Sequence, residues 1–253
     1  TFAVSLGVQC AKMGKTVLYM SLEENASTRH FFDNVNGGNV NDGNLSNLLY
    51  ALKDEFISMD AAMLTAAANS PIEGLCFVPP PDSALEFAEL DTEEISKLMK
   101  YLQNQSKFDI VVLDLGSGLN QLNTKILEEC GTAFLLLGSS LLHRTKQAEL
   151  EREIRYFPFN KEFTDEFTDD FTGKLVLLDC RTGGAGASFS EVHFIGKRVE
   201  DFLPYYPLID EKNVIDALSS TSSSYSIKVA ELAARYLVRQ SNNTETGDCI
   251  YAE

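Results

Sequence analysis

Two apolar runs in this sequence end in oxygen-bearing side chains that could do chemistry. F-D-I-V-V-L-D-L-G-S-G, Phe108–Gly118, ends its run at Asp114 and passes into a glycine turn. T-V-L-Y-M-S-L-E, Thr16–Glu23, carries Ser21 and Glu23 at its far end. Oxygen ligands suit a hard divalent cation, and a carboxylate at a strand tip can hold its hydration shell or orient a water. An exposed strand-end carboxylate without a role is the plain alternative for Glu23.

A third stretch, Met13-Gly14-Lys15-Thr16, looks like the end of a phosphate-binding loop but fails the pattern. G-x-x-x-x-G-K-[ST] requires a glycine where Gln9 stands, and it requires a strand before and a helix after. Here a helix precedes and a strand follows, so Gly14 reads as a helix stop. The helix itself, Phe2–Met13, is of greater interest. Its free N–H groups and positive dipole end could hold anionic oxygen, with Thr1 where the terminal hydroxyl residue of a phosphate loop would stand. Equally, it could be an N-terminal helix with its start lost. The strand-end Asp114 favours the first reading. In phosphate-loop NTPases such an Asp holds the Mg²⁺ shell, and a following glycine lets the backbone move toward a γ-phosphate.

These residues need a scaffold. The chain has 253 residues, 44% of them hydrophobic and 23% charged, enough for one large α/β unit with a core. Thr16–Leu22, Gly74–Val78, Asp109–Leu113, Ala133–Leu137, Lys174–Asp179 and Val192–Ile195 read as strands, mostly apolar on both faces. Helices are expected over Leu48–Phe56 with Ser46 as cap, over Asp60–Ala68, and from Asp91 with the Asp91–Glu94 capping box. Others are expected near Leu122–Cys130, Lys146–Phe157, Asn213–Leu218 and Ile227–Arg239. Such alternation implies an α/β fold, a doubly wound, mostly parallel sheet with helices on both faces. Ligands in such sheets bind beyond the carboxyl ends of the strands. F-T-D-E-F-T-D-D-F-T, residues 163–172, reads as a solvated acidic insertion. Residues 1–240 are expected to form the domain and 241–253 a disordered acidic tail.

Net charge is −16, which disfavours nucleic acid and anionic lipid as partners. Five cysteines without C-x-x-C spacing, four of them in apolar or strand-like contexts, read as buried free thiols, which suits a reducing cytoplasm, and the three scattered histidines argue against a zinc site. No run of about 18 apolar residues appears. The last helix carries only Lys228, Arg235 and Arg239 as cations, so its apolar face is expected to pack on the core, without direct membrane insertion.

The order of T-F-A-V-S-L-G-V-Q-C-A-K-M-G-K-T-V-L-Y-M-S-L-E, then G-L-C-F-V-P-P-P, F-D-I-V-V-L-D-L-G-S-G-L and T-A-F-L-L-L-G-S-S-L-L-H-R-T-K-Q-A-E-L-E-R-E-I resembles the MinD/ParA group of P-loop ATPases over most of residues 1–240. L-Y-M-S-L-E-E-N-A-S-T-R-H-F-F is most similar to the TadZ/CpaE pilus-assembly branch, in which a receiver-like domain precedes an atypical ATPase domain. The resemblance implies a phosphate loop just before Thr1, ATP with Mg²⁺, and a homodimer with nucleotide near its interface. It implies Thr1 and Asp114 as metal ligands, Glu23 and Asp114 as catalytic residues, and Thr1, Ser21, Gly118, Asp179 and Pro204 as nucleotide-binding positions. It implies protein partners in a pilus or secretion apparatus, and recruitment to membrane or pole through them.

The chain departs from the group where Ser21 and Glu23 replace a D-x-D pair, and where Asp179 stands near the usual base-contacting Asn. Those departures weaken hydrolysis more than binding, because backbone N–H groups hold phosphate whatever the side chains are. A positional switch with weak or absent hydrolysis is therefore expected. The alternatives are an active ATPase that cycles by hydrolysis and a nucleotide-free partner-binding module.

Overall fold

Strands that are apolar on both sides must be covered on both sides, and the chain achieves this by alternation. The computed structural model describes residues 2–24, 26, 28–32, 43–138, 141–156, 172–180, 193–204, 214–220, 222–238 and 248–252. Helix α1 (Phe2–Lys12) stops at Gly14, whose φ of 82° suits a residue without Cβ, and β1 (Val17–Ser21) follows. Next come α2 (Thr28–Phe32), α3 (Leu45–Lys53), α4 (Met59–Ala66), β2 (Ala68–Asn69), β3 (Leu75–Val78), α5 (Leu85–Ala88), α6 (Thr92–Asn104) and β4 (Ile110–Asp114). The remainder is α7 (Gln121–Glu129), β5 (Thr132–Gly138), α8 (Leu141–Tyr156), β6 (Leu175–Cys180), β7 (His193–Phe194), β8 (Lys197–Arg198), β9 (Asp201–Leu203), α9 (Val214–Ser219), α10 (Ser224–Ala233, continuing as a π-helical turn to Val238) and β10 (Asp248–Ala252).

The main sheet runs β2-β3-β1-β4-β10-β5-β6-β9, parallel at every pairing but β2 with β3. Successive residues alternate between its faces. Val17, Tyr19, Ile110 and Val112 pack with α1, α9 and α10; Leu18, Met20, Val111 and Leu113 pack with α3, α4, α6 and α7. The result is the expected doubly wound three-layer sandwich. Each buried Leu or Val in those layers contributes about 1.5–3 kcal/mol, so a core on each face holds the strands in register.

Local signals held where the chemistry was self-contained. Asp91 caps α6, accepting from Glu94 N–H while Glu94 accepts from Asp91 N–H. Lys228 pairs with Asp201 and Glu231, Arg235 pairs with Asp201, and Val229, Leu232, Ala233 and Leu237 of the last helix pack with α1. Cys10 and Cys130 are buried free thiols as expected, whereas Cys76 and Cys180 are free but only half-buried. Among the described residues no helix is long and apolar enough to cross a membrane.

Four expectations are corrected. Asn44, not Ser46, caps α3, because Asn44 and Asn47 satisfy each other's N–H reciprocally, and Ser46 Oγ instead donates to Glu86. Phe56 does not share the buried face; α3 ends at Lys53 and Phe56 is 100% exposed. The segment over 192–195 adds no strand to the main sheet. His193–Phe194 pairs antiparallel with Lys197–Arg198 through a turn at Ile195 (φ 51°) and Gly196 (φ 75°), the positive-φ pair that two-residue hairpins require. Finally, the tail is not wholly disordered: Asp248–Ala252 enters the sheet as β10 between β4 and β5, parallel to both. A gap of one strand between two parallel neighbours leaves unpaired N–H and C=O groups on both sides, and the β-favouring run Cys249-Ile250-Tyr251 pairs them. The acidic repeat over 163–171, Arg239 and residues 241–247 lie outside the described residues.

Candidate functional site

The eleven residues of α1 span about 16 Å, and the five of β1 span about the same, so α1 returns along β1 to the level of Ser21. The sheet register draws a row at that level. Ser21 pairs with Asp114, Asp114 with Ala252, and Ala252 with Phe134. Phe2 sets its ring edge-on to Phe134 at 5.5 Å. The first turn of α1, with its positive dipole end, and Asp114 therefore stand on one rim of the sheet, the carboxyl rim.

Asp114 is only partly exposed there. Tyr19, buried in β1, reaches two residues up the sheet, and its hydroxyl donates to Asp114 Oδ2 at 2.9 Å. Burial, then the charge of Asp114, push the Tyr19 phenol well above its ordinary value, so it stays protonated and donates. Burial also raises the Asp114 carboxyl, against the lowering effect of the Tyr19 bond. Glu23 is raised too, first by burial and then by Asp114 nearby. Ser21 is buried at the end of β1, and its Oγ accepts weakly from Glu23 N–H at 3.4 Å. A polar recess of about 260 Å³ opens beside them, lined by Leu22, Glu23, Glu24, Gly116, Ser117 and Asn120.

The turn after Asp114 forms the recess wall. Gly118 takes φ 115°, a conformation that side chains rarely adopt. Asn120 caps α7, accepting from Asn123 N–H at 2.8 Å. Asn123 then reaches back, its Nδ2 donating to Gly116 O at 2.7 Å and Gly118 O at 2.8 Å.

No family model matches the chain, and no curated protein is significantly similar to it in sequence. Solved structures do match. A ParA family ATPase from Chlorobium tepidum TLS aligns with TM-score 0.66 at 15% identity, over 92% of this chain and 91% of its own. The septum site-determining protein MinD complexed with Mg-ADP, from Pyrococcus horikoshii OT3, aligns with TM-score 0.63 at 15% identity, over 96% and 92%. MinD in the MinC:MinD cell division complex of Aquifex aeolicus gives 0.62 at 14%, over 92% and 88%. The fold is that of the MinD/ParA-type P-loop ATPases. At such identities the likeness is one of fold, and the roles of individual residues rest on the geometry above.

Within this MinD/ParA fold the nominated residues fall into two groups. Ser21, Glu23, Asp114 and Gly118 gather at the tips of β1 and β4. Asp179, 9% exposed, and Pro204 gather at the ends of β6 and β9, where Asp179 pairs with Phe202 and Cys180 with Leu203. Asp179 lies three strands across and three residues along from Asp114, about 17 Å away by strand geometry. Both groups are on the carboxyl rim. Thr1 lies outside the described residues.

Sequence reasoning missed Tyr19 and Asn123. Tyr19 was legible as an aromatic in an aliphatic strand, but its partner is 95 residues away. Asn123 carried no signal beyond its position near a helix start. As for a cation, Asp114, Glu23 and Ser21 offer oxygen alone, which suits Mg²⁺. Two carboxyls raised by burial, Glu23 also by the charge of Asp114, are the electrostatic condition a cation relieves. Among the described residues, no group of three or more His, Cys, Asp or Glu could enclose a metal without further ligands. Any cation here would share its shell with water or phosphate.

Proposed function

We propose that this chain is a nucleotide-dependent switch of MinD/ParA type that binds ATP with Mg²⁺, forms a homodimer, and serves as a positional scaffold for a pilus or secretion apparatus, as in the TadZ/CpaE branch. Residues 1–240 would form the switch unit, with Asp248–Ala252 contributing a strand to its sheet. The observation that carries the reading is the shared rim: the first turn of α1, Ser21, Asp114 and the Gly116–Gly118 turn lie along it, beside a recess lined by Glu23, Gly116 and Ser117.

Phosphate oxygens would lie at the start of α1, with the hydroxyl of Thr1 and the carboxylate of Asp114 toward the metal. Mg²⁺, when bound, neutralises phosphate charge. The base would lie toward Asp179 and Pro204, about 17 Å along the rim, a span that suits an extended nucleotide. Weak or absent hydrolysis fits the side chains. One carboxylate, Glu23, stands where the group carries a pair, and Asp114 shares an oxygen with the Tyr19 hydroxyl. Placing a water to within about an angstrom is what turnover demands, and a misplacement of that size costs roughly 10²-fold.

Two measurements on the full-length protein test this. Thermal unfolding with Mg-ATP at a hundredfold excess over its Kd should show stabilisation of about 2.7 kcal/mol. Absence of any shift, with either ATP or ADP, would reject nucleotide binding and leave the partner-binding module. Steady-state phosphate release that is fast, and that falls about 10²-fold in Glu23→Gln, would replace the switch with a cycling ATPase.

A further inference from the structure

The Asn123 carboxamide is bonded on one side only. Its Nδ2 faces two carbonyls, Gly116 O and Gly118 O, so its orientation is settled by its neighbours. Oδ1 is then turned away, buried and without a hydrogen-bond partner. The residue is 2% exposed. It borders a cavity of about 50 Å³ whose other described lining residues, among them Leu115, Leu127, Leu135 and Phe194, are apolar or glycine. Burying an acceptor without a donor is unfavourable, and an apolar residue of similar shape would fill the same space without that loss.

The loop it holds has room to turn at its glycines. Gly116 and Gly118 impose no Cβ, and a Cβ added at Gly118 would meet nothing within 4 Å. Rotation of a peptide unit in that loop would replace an inward carbonyl with an inward N–H. The same carboxamide, turned over, presents Oδ1 to receive it. Turned over, the carboxamide would bury its N–H donors against the apolar cavity, so the loop state described here is the one that Asn123 favours.

We infer that Asn123 is a latch on the Asp114–Leu119 loop, holding the carbonyls of Gly116 and Gly118 inward until a Mg-nucleotide in the adjacent recess draws the loop away. The inference rests on the switch reading above and names its moving part. Asn123 acts through the loop, as a positioning residue. A ligand that prefers the released loop must supply the free energy of breaking the latch, so removing the latch tightens binding.

The test is amide hydrogen exchange with nucleotide titration on the full-length protein and on Asn123→Leu, which keeps the bulk and loses both donors. Without nucleotide, amides of residues 115–119 should exchange about tenfold faster in the variant, while β4 and β5 keep their protection. Mg-ATP should bind the variant roughly three- to tenfold tighter. Unchanged loop exchange overturns the latch, as does uniform acceleration through α7, β4 and β5, which marks a packing role.

Should the variant fail to fold, wild-type protein decides. The Asn123 side-chain amide protons should be protected without nucleotide and lose that protection with Mg-ATP; unchanged protection rejects the inference. If wild-type protein binds no nucleotide, the switch reading falls, and loop exchange in nucleotide-free Asn123→Leu alone decides the latch.

Discussion

Asp109 and Asp114 flank the same strand and have opposite fates. At the amino rim, Asp109 accepts from Thr16 N–H at 2.7 Å and from Thr16 Oγ1 at 2.8 Å. The main-chain bond, above all, lowers its carboxyl below the ordinary range. At the carboxyl rim, Asp114 takes one hydroxyl, sits beside Glu23, and is raised by burial. The first carboxylate is satisfied by the fold and serves to tie β1 to β4. The second accepts one hydroxyl and is half-buried on the rim that also carries the first turn of α1. That difference separates a structural carboxylate from one available to a ligand.

The largest effect expected is on linkage to nucleotide. Asp114→Asn should abolish most of the roughly 2.7 kcal/mol that Mg-ATP at a hundredfold excess adds to wild-type stability, while Asp109→Asn should leave that increment intact. Thermal unfolding with and without Mg-ATP reads both. Equal increments in the two variants would erase the contrast between the rims.

Next is Tyr19→Phe. It removes the hydroxyl that Asp114 accepts from and leaves a partly buried carboxylate without that bond, which should cost about 2 kcal/mol in urea denaturation. An unchanged denaturation midpoint would mean that water replaces the phenol at no cost.

The smallest effect is in pH dependence, and its sign differs between the two residues. A carboxyl raised on folding holds its proton more tightly in the folded chain. The Asp114 contribution therefore falls as pH climbs from 3.8 through the raised folded value. A lowered carboxyl does the reverse: the Asp109 contribution is fully present above 3.8 and is lost as pH falls through the lowered value. Asp114→Asn should thus flatten the decline toward neutral pH, and Asp109→Asn the decline toward acid. Denaturation midpoints between pH 3 and 7 would show it; the same sign in both variants would refute it.

Much of the fold was legible because its signals are local. The apolar run Ile110–Leu113, the glycine stop at Gly14 and the Asp91–Glu94 box each act within a few residues, and each appears as read. The α3 cap was misread because Asn44 and Ser46 are both competent caps, and the reciprocal bond with Asn47 decides between them. The site was half legible. Asp114, Glu23 and Gly118 announce themselves by type and place. Tyr19 and Asn123 do not, because what ties them to the site is a partner supplied by another strand or by a loop that doubles back. The strand at Asp248–Ala252 was hidden by the polar, acidic residues before it.

By itself, then, the sequence determined the alternation of strands and helices, the two-faced burial of the sheet, and the presence of a carboxylate at a strand tip before a glycine turn. Those depend on side-chain periodicity and backbone preference, which neighbours in the chain settle. Only the tertiary structure decided which carboxylate is satisfied and which is not, that Tyr19 caps Asp114, and that a C-terminal strand enters beside β4. Those depend on register between strands far apart in sequence, where one residue of slip would turn every side chain to the other face.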